Sequence, residues 1–304
     1  MSENIIEIKN LHKSFNYVKA VNGISFKVKR GELFAFLGVN GAGKSTTINI
    51  LTGILKKDSG ECFIDGHNVN ETMKILTNIG IVFQSSILDS KLNVYENLKY
   101  RAMLYSLSKS EFNERLNFFI NRFELKDILK KPVGKLSGGQ KRKIDIVRAL
   151  IHHPKILILD EPTTGLDPKT RKIVWGLIEE LRATNGLTVL LTTHYMEEAT
   201  RANYVVIIDN GNIVTEGTPA YLKEKYANDY LKIYKYSKDL QAFLLKSDLN
   251  YKINNGIIEI KLSSTNEAKE FILNHSNDIE DLEIIKGTMD DVFLNATGKD
   301  LEKI

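Results

Sequence analysis

GVNGAGKST, Gly38 to Thr46, satisfies every fixed position of the phosphate-loop pattern G-x-x-x-x-G-K-[ST], with Gly38, Gly43, Lys44 and Ser45. The five residues before it, Leu33 to Leu37 (LFAFL), predict a short buried strand, and Ser45 to Leu51 (STTINIL) predict the first turns of a helix. Strand, glycine loop and helix in that order form the unit that binds a nucleotide phosphate. Glycines allow the backbone to turn its N–H groups inward around an anion, and the helix N-terminus adds partial positive charge. Lys44 is then expected to reach the β and γ phosphates, and the Ser45 hydroxyl to ligate Mg²⁺. The candidate nucleotide-binding stretch is Gly38 with Asn40, Gly41, Ala42, Gly43, Lys44, Ser45 and Thr46.

The rest of the 304 residues is long enough for about two domains, and 42% apolar content supplies their cores. The longest apolar runs, Ile156 to Leu159 and Tyr204 to Ile208, fall far short of the roughly twenty residues that span a bilayer. MSENIIEIKN has no basic stretch followed by an apolar core and so does not read as a secretion signal. Cys62 is the single cysteine, which excludes an internal disulfide and agrees with a reducing compartment. A net charge of +4 is too slight to argue for nucleic acid. Its distribution is uneven, since 12 basic and 15 acidic residues follow residue 221 against 30 and 23 before it.

That shift predicts a boundary near residue 222, giving a nucleotide-binding domain over 1–222 and an accessory domain over 223–304. In the first, Ile6 and Ile8, then Ile24, Phe26 and Val28, alternate with polar residues and read as half-exposed strands. Asp65-Gly66 and Asn210-Gly211 read as hairpin turns. From Val94 to Leu129 the apolar residues Leu98, Met103, Leu107, Phe112, Leu116 and Ile120 recur at helical spacing, so a helical subdomain is expected over about 88–150. Lys155 to Leu159 and Leu187 to Leu191 are continuous apolar runs, as in parallel strands covered on both faces. The accessory domain reads β-α-β-β-α-β, a ferredoxin-like order, with a last helix from Met289 to Asn295. The expected fold class is therefore α/β: a phosphate-loop core with an N-terminal antiparallel β subdomain, a helical insert and a small C-terminal α+β module.

Further chemistry follows the phosphate loop. Ile156 to Glu161 (ILILDE) is an apolar strand ending in two carboxylates, at the edge where α/β sheets face their ligands. Asp160 is expected to hold Mg²⁺, and Glu161 to act as general base on the attacking water. Leu136 to Gln140 (LSGGQ) precedes an amphipathic run, so Ser137, Gly138 and Gly139 begin a helix and form a second anion nest. The helical insert separates this nest from the sheet. Two chains arranged head to tail would let each nest cover the other's γ-phosphate.

GVNGAGKST, Gln84, LSGGQ, ILILDEP, TGLD and His194 occur in the order found in the ATP-binding subunits of ABC transporters, and the chain resembles that family from residue 5 to about 220. The resemblance implies that Gln84 touches Mg²⁺ and the attacking water, that Gln140 with Ser137, Gly138 and Gly139 binds ATP, that Asp167 lies at a dimer interface, and that His194 contacts the γ-phosphate. Phe15 looks like the aromatic that stacks on adenine, with Tyr17 as the competing choice and a core phenylalanine as the plain reading. GTMDDVFLNATG, Gly287 to Gly298, is similar to the tail of daunorubicin-resistance-type ATPases. The family resemblance implies an ATP-hydrolysing subunit using ATP and Mg²⁺ at the cytoplasmic face of a membrane. Its partners would be a separate permease and a second ATPase subunit, identical or homologous, without nucleic acid. A soluble ABC ATPase acting on DNA or ribosomes is the alternative; paired cassettes, coiled coils or zinc modules would mark it.

Overall fold

The computed structural model describes residues 3–298; residues 1–2 and 299–304, the latter in the expected accessory domain, lie outside the described residues. Along the chain run β1 (Asn4–Phe15), β2 (Val18–Lys29), β3 (Leu33–Leu37), α1 (Lys44–Leu51), β4 (Ser59–Ile64), β5 (His67–Asn68), α2 (Thr72–Leu76) and β6 (Ile79–Val82). Then come α3 (Val94–Leu104), α4 (Lys109–Phe123), α5 (Gly138–Leu150), β7 (Ile156–Asp160), α6 (Pro168–Asn185), β8 (Thr188–Thr193), α7 (Met196–Thr200), β9 (Tyr204–Asp209) and β10 (Asn212–Gly217). The remainder is α8 (Pro219–Tyr226), β11 (Asp229–Tyr236), α9 (Lys238–Leu244), β12 (Tyr251–Asn254), β13 (Ile257–Leu262), α10 (Thr265–Asn274), β14 (Ile279–Ile285) and α11 (Met289–Thr297).

The chain separates into two units between Glu216 and Gly217. In the first, a sheet in the order β10-β9-β3-β8-β7-β6 carries the strands read as continuous apolar runs. β3 pairs in parallel with β8 and β9, and β7 with β6 and β8. Every residue of β3, β7 and β8 is buried, because these strands are covered on both faces. A second sheet, β2-β1-β4-β5, is antiparallel where β1 meets β2 and β4. Its inward residues Ile6, Ile8, Ile24, Phe26 and Val28 join Phe34 and Phe36 of the first sheet in one core. The phosphate loop thus leaves β3 at the centre of the larger sheet, on a base with little freedom to shift.

The helical insert is capped as its sequence specifies. Asn93 and Ser108 each accept a hydrogen bond from the backbone N–H three residues on, Glu96 and Glu111, whose side chains bond back. Leu98, Phe112 and Leu116 are buried, whereas Met103 is 60% exposed and belongs to the outer face. Behind the insert, beyond the end of α5, His152 is buried with Nε2 3.0 Å from the Ile79 carbonyl and its ring stacked on Tyr105, centroids 3.8 Å apart. Burial, and then the charge of Arg101, push its pKa from 6.5 down to about 4, against the opposing hydrogen bond to Ile79. The unfolded chain therefore takes up a proton that the native protein refuses, so stability present above about pH 6.5 is lost as pH falls toward about 4. Urea unfolding at pH 7 and pH 4.5 is expected to show a pH-dependent loss smaller in His152→Phe than in the wild type by on the order of 2 kcal/mol. Equal losses in the two proteins would contradict this.

The second unit has the sheet order β12-β13-β11-β14, with antiparallel pairing throughout. With α9 and α10 as crossovers, that is the ferredoxin-like split β-α-β arrangement. Leu231, Ile233, Ile258 and Ile260 pack against Leu240, Leu244, Ala268 and Phe271 of the helices. Leu222, where the sequence suggests the boundary, is instead fully buried inside α8. That helix starts earlier because Thr218 caps it, accepting from Tyr221 N at 3.2 Å, and it packs against α11.

Candidate active site

The loop after β3 has the shape its glycines require. Gly43 has φ 111°, and a Cβ there would stand 2.4 Å from the Ala20 carbonyl, so no other residue fits. Lys44 begins α1 and is only 4% exposed. Its ammonium donates to the Gly38 and Val39 carbonyls at 2.6 and 3.0 Å. Desolvation lowers its pKa, opposed by the charges of Glu161 and Asp160. Asn40, Gly41, Gly43, Lys44, Ser45, Thr46, Gln84 and Glu161 line a cavity of about 250 Å³. Gly38 and Ala42 lie behind this wall, where Gly38 N donates to Thr193 O and Gly211 N to Ala42 O.

The end of β7 and the residue after it set two carboxylates beside the phosphate loop in different roles, Glu161 alone lining the cavity. Asp160 Oδ1 accepts from Ser45 Oγ at 3.3 Å and from the hydroxyl of Thr192 on the neighbouring strand. Glu161 adopts a left-handed backbone, φ 48°, which turns its side chain away from that of Asp160. Its Oε2 accepts from Gln84 Nε2 at 3.1 Å, and its Oε1 is 3.2 Å from His194 Nδ1. Gln84 follows β6 and His194 follows β8, so three adjacent parallel strands deliver these groups at one sheet edge.

Ser137, Gly138, Gly139 and Gln140 are elsewhere. Ser137 caps α5 by accepting from Gln140 N at 3.2 Å, while Gln140 Oε1 accepts from Ser137 N. The turn lies beside Leu166 and Asp167, and a Cβ on Gly139 would stand 4.0 Å from Asp167 Oδ2. Asp167 itself caps α6, accepting from the backbone and hydroxyl of Thr170 at 2.9 and 2.6 Å, bonds that lower its pKa. Phe15, 47% exposed at the end of β1 with Lys13 Nζ over its ring, does not line the cavity, and its exposure removes the core reading. Tyr17 is fully exposed.

Two contributors went unread in the sequence. Arg142 is buried on α5 and donates to the carbonyls of Pro162 (2.7 Å), Asp160 (2.9 Å), Glu161 (2.7 Å) and Phe83. One guanidinium thus joins the helix after LSGGQ to the carboxylate turn and to the strand before Gln84. The signal was an arginine on the side of the run otherwise occupied by the buried Ile146 and Ala149. Thr192, which orients Asp160, looks in sequence like one more β-branched residue of a strand.

The donors fit a small hard cation: Ser45 Oγ, Asp160 and the Gln84 amide offer oxygen. No group of three or more His, Cys, Asp or Glu able to hold a metal occurs among the described residues. No helix among the described residues is long and apolar enough to cross a membrane.

Comparison with known proteins agrees with this geometry. The ABC transporter family profile matches residues 21–164. A daunorubicin resistance ATP-binding protein of Streptomyces coeruleorubidus is 32% identical over 310 residues, covering 99% of this chain and 98% of that protein. The Nod factor export ATP-binding protein I of Rhizobium sp. (strain N33) is 33% identical over 306 residues, the full length of both. Among solved structures, a dimeric ATP-binding cassette in a post-hydrolysis state with ADP and Pi is 29% identical with a TM-score of 0.66, covering 70% of this chain and 98% of that one. With a complete phosphate loop at the same sheet edge as Asp160, Glu161, Gln84 and His194, the chain belongs to the ATPases of the ABC family, as an ABC transporter ATP-binding subunit.

Proposed function

We propose that this chain powers an exporter, working as a pair of ATPase subunits on the cytoplasmic face of a separate membrane permease. The observation that carries the pairing is the separation of Ser137–Gln140 from the cavity of Gly41–Thr46 within one chain. A twofold, head-to-tail arrangement supplies each cavity with the other chain's nest, and Asp167, beside that nest, then falls at the seam. Export is supported by the full-length relatives, one named for daunorubicin resistance and the other for Nod factor export.

In this reading the loop N–H groups and Lys44 hold the phosphates of ATP. Ser45, Asp160 and Gln84 hold Mg²⁺, which offsets charge on the β and γ phosphates when bound. Glu161 accepts a proton from the attacking water, and His194 contacts the γ-phosphate. ATP joins the two chains and hydrolysis parts them, so the permease is driven between two arrangements. Residues Gln84 to Asn93 are the proposed permease contact, since they join the cavity to the helical insert. The C-terminal unit is assigned a regulatory or dimer-supporting role.

Affinity purification of the full chain from detergent-solubilised membranes tests the partnership. The expected result is recovery of a protein with several apolar spans of about twenty residues. Recovery with ribosomes or DNA and no membrane protein would overturn it.

A further inference from the structure

Glu198, on α7 one turn past His194, is 3% exposed. Its Oε1 accepts a hydrogen bond from the hydroxyl of the buried Thr163, while its buried Oε2 makes no hydrogen bond of normal geometry and the hydroxyl of Thr193, the residue before His194, is the second group that favours its charged form. A carboxylate so placed is disfavoured by desolvation, and an apolar side chain in its position would be easier to bury. Packing therefore does not account for it.

Thr163 stands two residues after Glu161, in the turn that holds the left-handed backbone of Glu161. A non-glycine residue remains in that conformation when its surroundings over-determine it. Arg142 holds the carbonyls of Asp160, Glu161 and Pro162, and Glu161 N donates to Thr192 O at 3.1 Å. The Thr163–Glu198 bond continues this set of restraints into the helix that follows His194. The same segment is held from α6, where Arg171 lies over the Tyr195 ring at 5.7 Å and 3.9 Å from Glu197.

We propose that Glu198 is a positioning residue for ATP hydrolysis: through Thr163 it locks the turn carrying Glu161 to the segment carrying His194, and so keeps those two side chains in register. This rests on the reading of Glu161 as general base. Glu198 touches neither the cavity nor a phosphate position, so its loss acts on turnover and leaves nucleotide binding alone. Burial also raises its pKa, consistent with a group set apart from solvent.

Steady-state ATPase kinetics of the full chain, with ATP affinity measured separately, test this in Thr163→Ser, Thr163→Val, Glu198→Ala and the Thr163→Val/Glu198→Ala double variant. Thr163→Ser, which keeps the hydroxyl, is expected within about threefold of wild-type kcat, whereas Thr163→Val and Glu198→Ala each lose about tenfold or more with KM and ATP affinity within about twofold. The double variant is expected to be no slower than the slower single, because both remove one bond. Multiplying losses in the double variant, a rise in KM at unchanged kcat, or Thr163→Ser as slow as Thr163→Val would overturn the proposal. Should Glu198→Ala not fold, the Ser and Val variants of Thr163 decide between the same two outcomes. Full turnover in Glu161→Gln would sink the general-base reading alone; a dead Glu161→Gln beside multiplying losses would sink the Glu198 assignment alone.

Discussion

Replacing Glu161 with glutamine is expected to reduce ATP turnover by roughly 10²- to 10⁴-fold, the range that a positioned general base contributes, while ATP still binds. The substitution is nearly isosteric, and a glutamine oxygen can still accept the hydrogen bond that Gln84 Nε2 makes to Glu161 at 3.1 Å. What is lost is the capacity to take a proton. The phosphate loop stays intact, because Lys44 is held by the Gly38 and Val39 carbonyls. Removing a negative charge from the cavity wall also reduces repulsion toward the phosphates. With hydrolysis stopped, ATP is expected to trap the paired state, visible as a doubled mass in sedimentation. Turnover close to wild type would remove Glu161 from the catalytic role, and an unchanged mass with ATP bound would count against the head-to-tail pair.

Lys44→Ala attacks the other half of the reaction. Its ammonium is almost fully buried and rests on two loop carbonyls, close to where phosphate oxygens would lie. Hydrogen bonds to charged groups contribute about 1.5–3 kcal/mol, so the Kd for ATP is expected to rise by about 10- to 100-fold. Titration with a fluorescent nucleotide checks this, and unchanged affinity would contradict the phosphate cradle. The two variants separate binding from chemistry: one retains ATP without turning it over, the other rarely holds it.

Much of this site was legible as sequence because its backbone demands are local. Gly43 must be glycine to reach φ 111° beside Ala20, and that requirement leaves a fixed spacing to Lys44 and Ser45. The apolar runs ending at Asp160 and Thr193 likewise announce buried parallel strands whose last residues face a ligand. Helical spacing alone does not say which residues of the insert meet the core: Leu98 and Phe112 are buried, whereas Met103 lies on the outer face. The division before Gly217 lies six residues ahead of the expected one because a change in charge is a coarse marker, and Thr218 capping α8 is a short-range one.

From its sequence alone this protein reads as a phosphate-loop protein of parallel α/β build with Lys44, Ser45, Asp160 and Glu161 as candidate chemistry; ATP hydrolysis and the roles of Gln84 and His194 came with its resemblance to the ABC family. Glycine conformation, strand burial and helix capping act over a few residues, so the order of letters is enough to read them. Only the tertiary structure decided that Glu161 is turned left-handed between Gln84 and His194, that Arg142 gathers four carbonyls beneath it, and that Glu198 reaches Thr163. Those contacts join residues tens of positions apart, and a buried arginine or glutamate looks in sequence like any exposed one until its partners are brought to it.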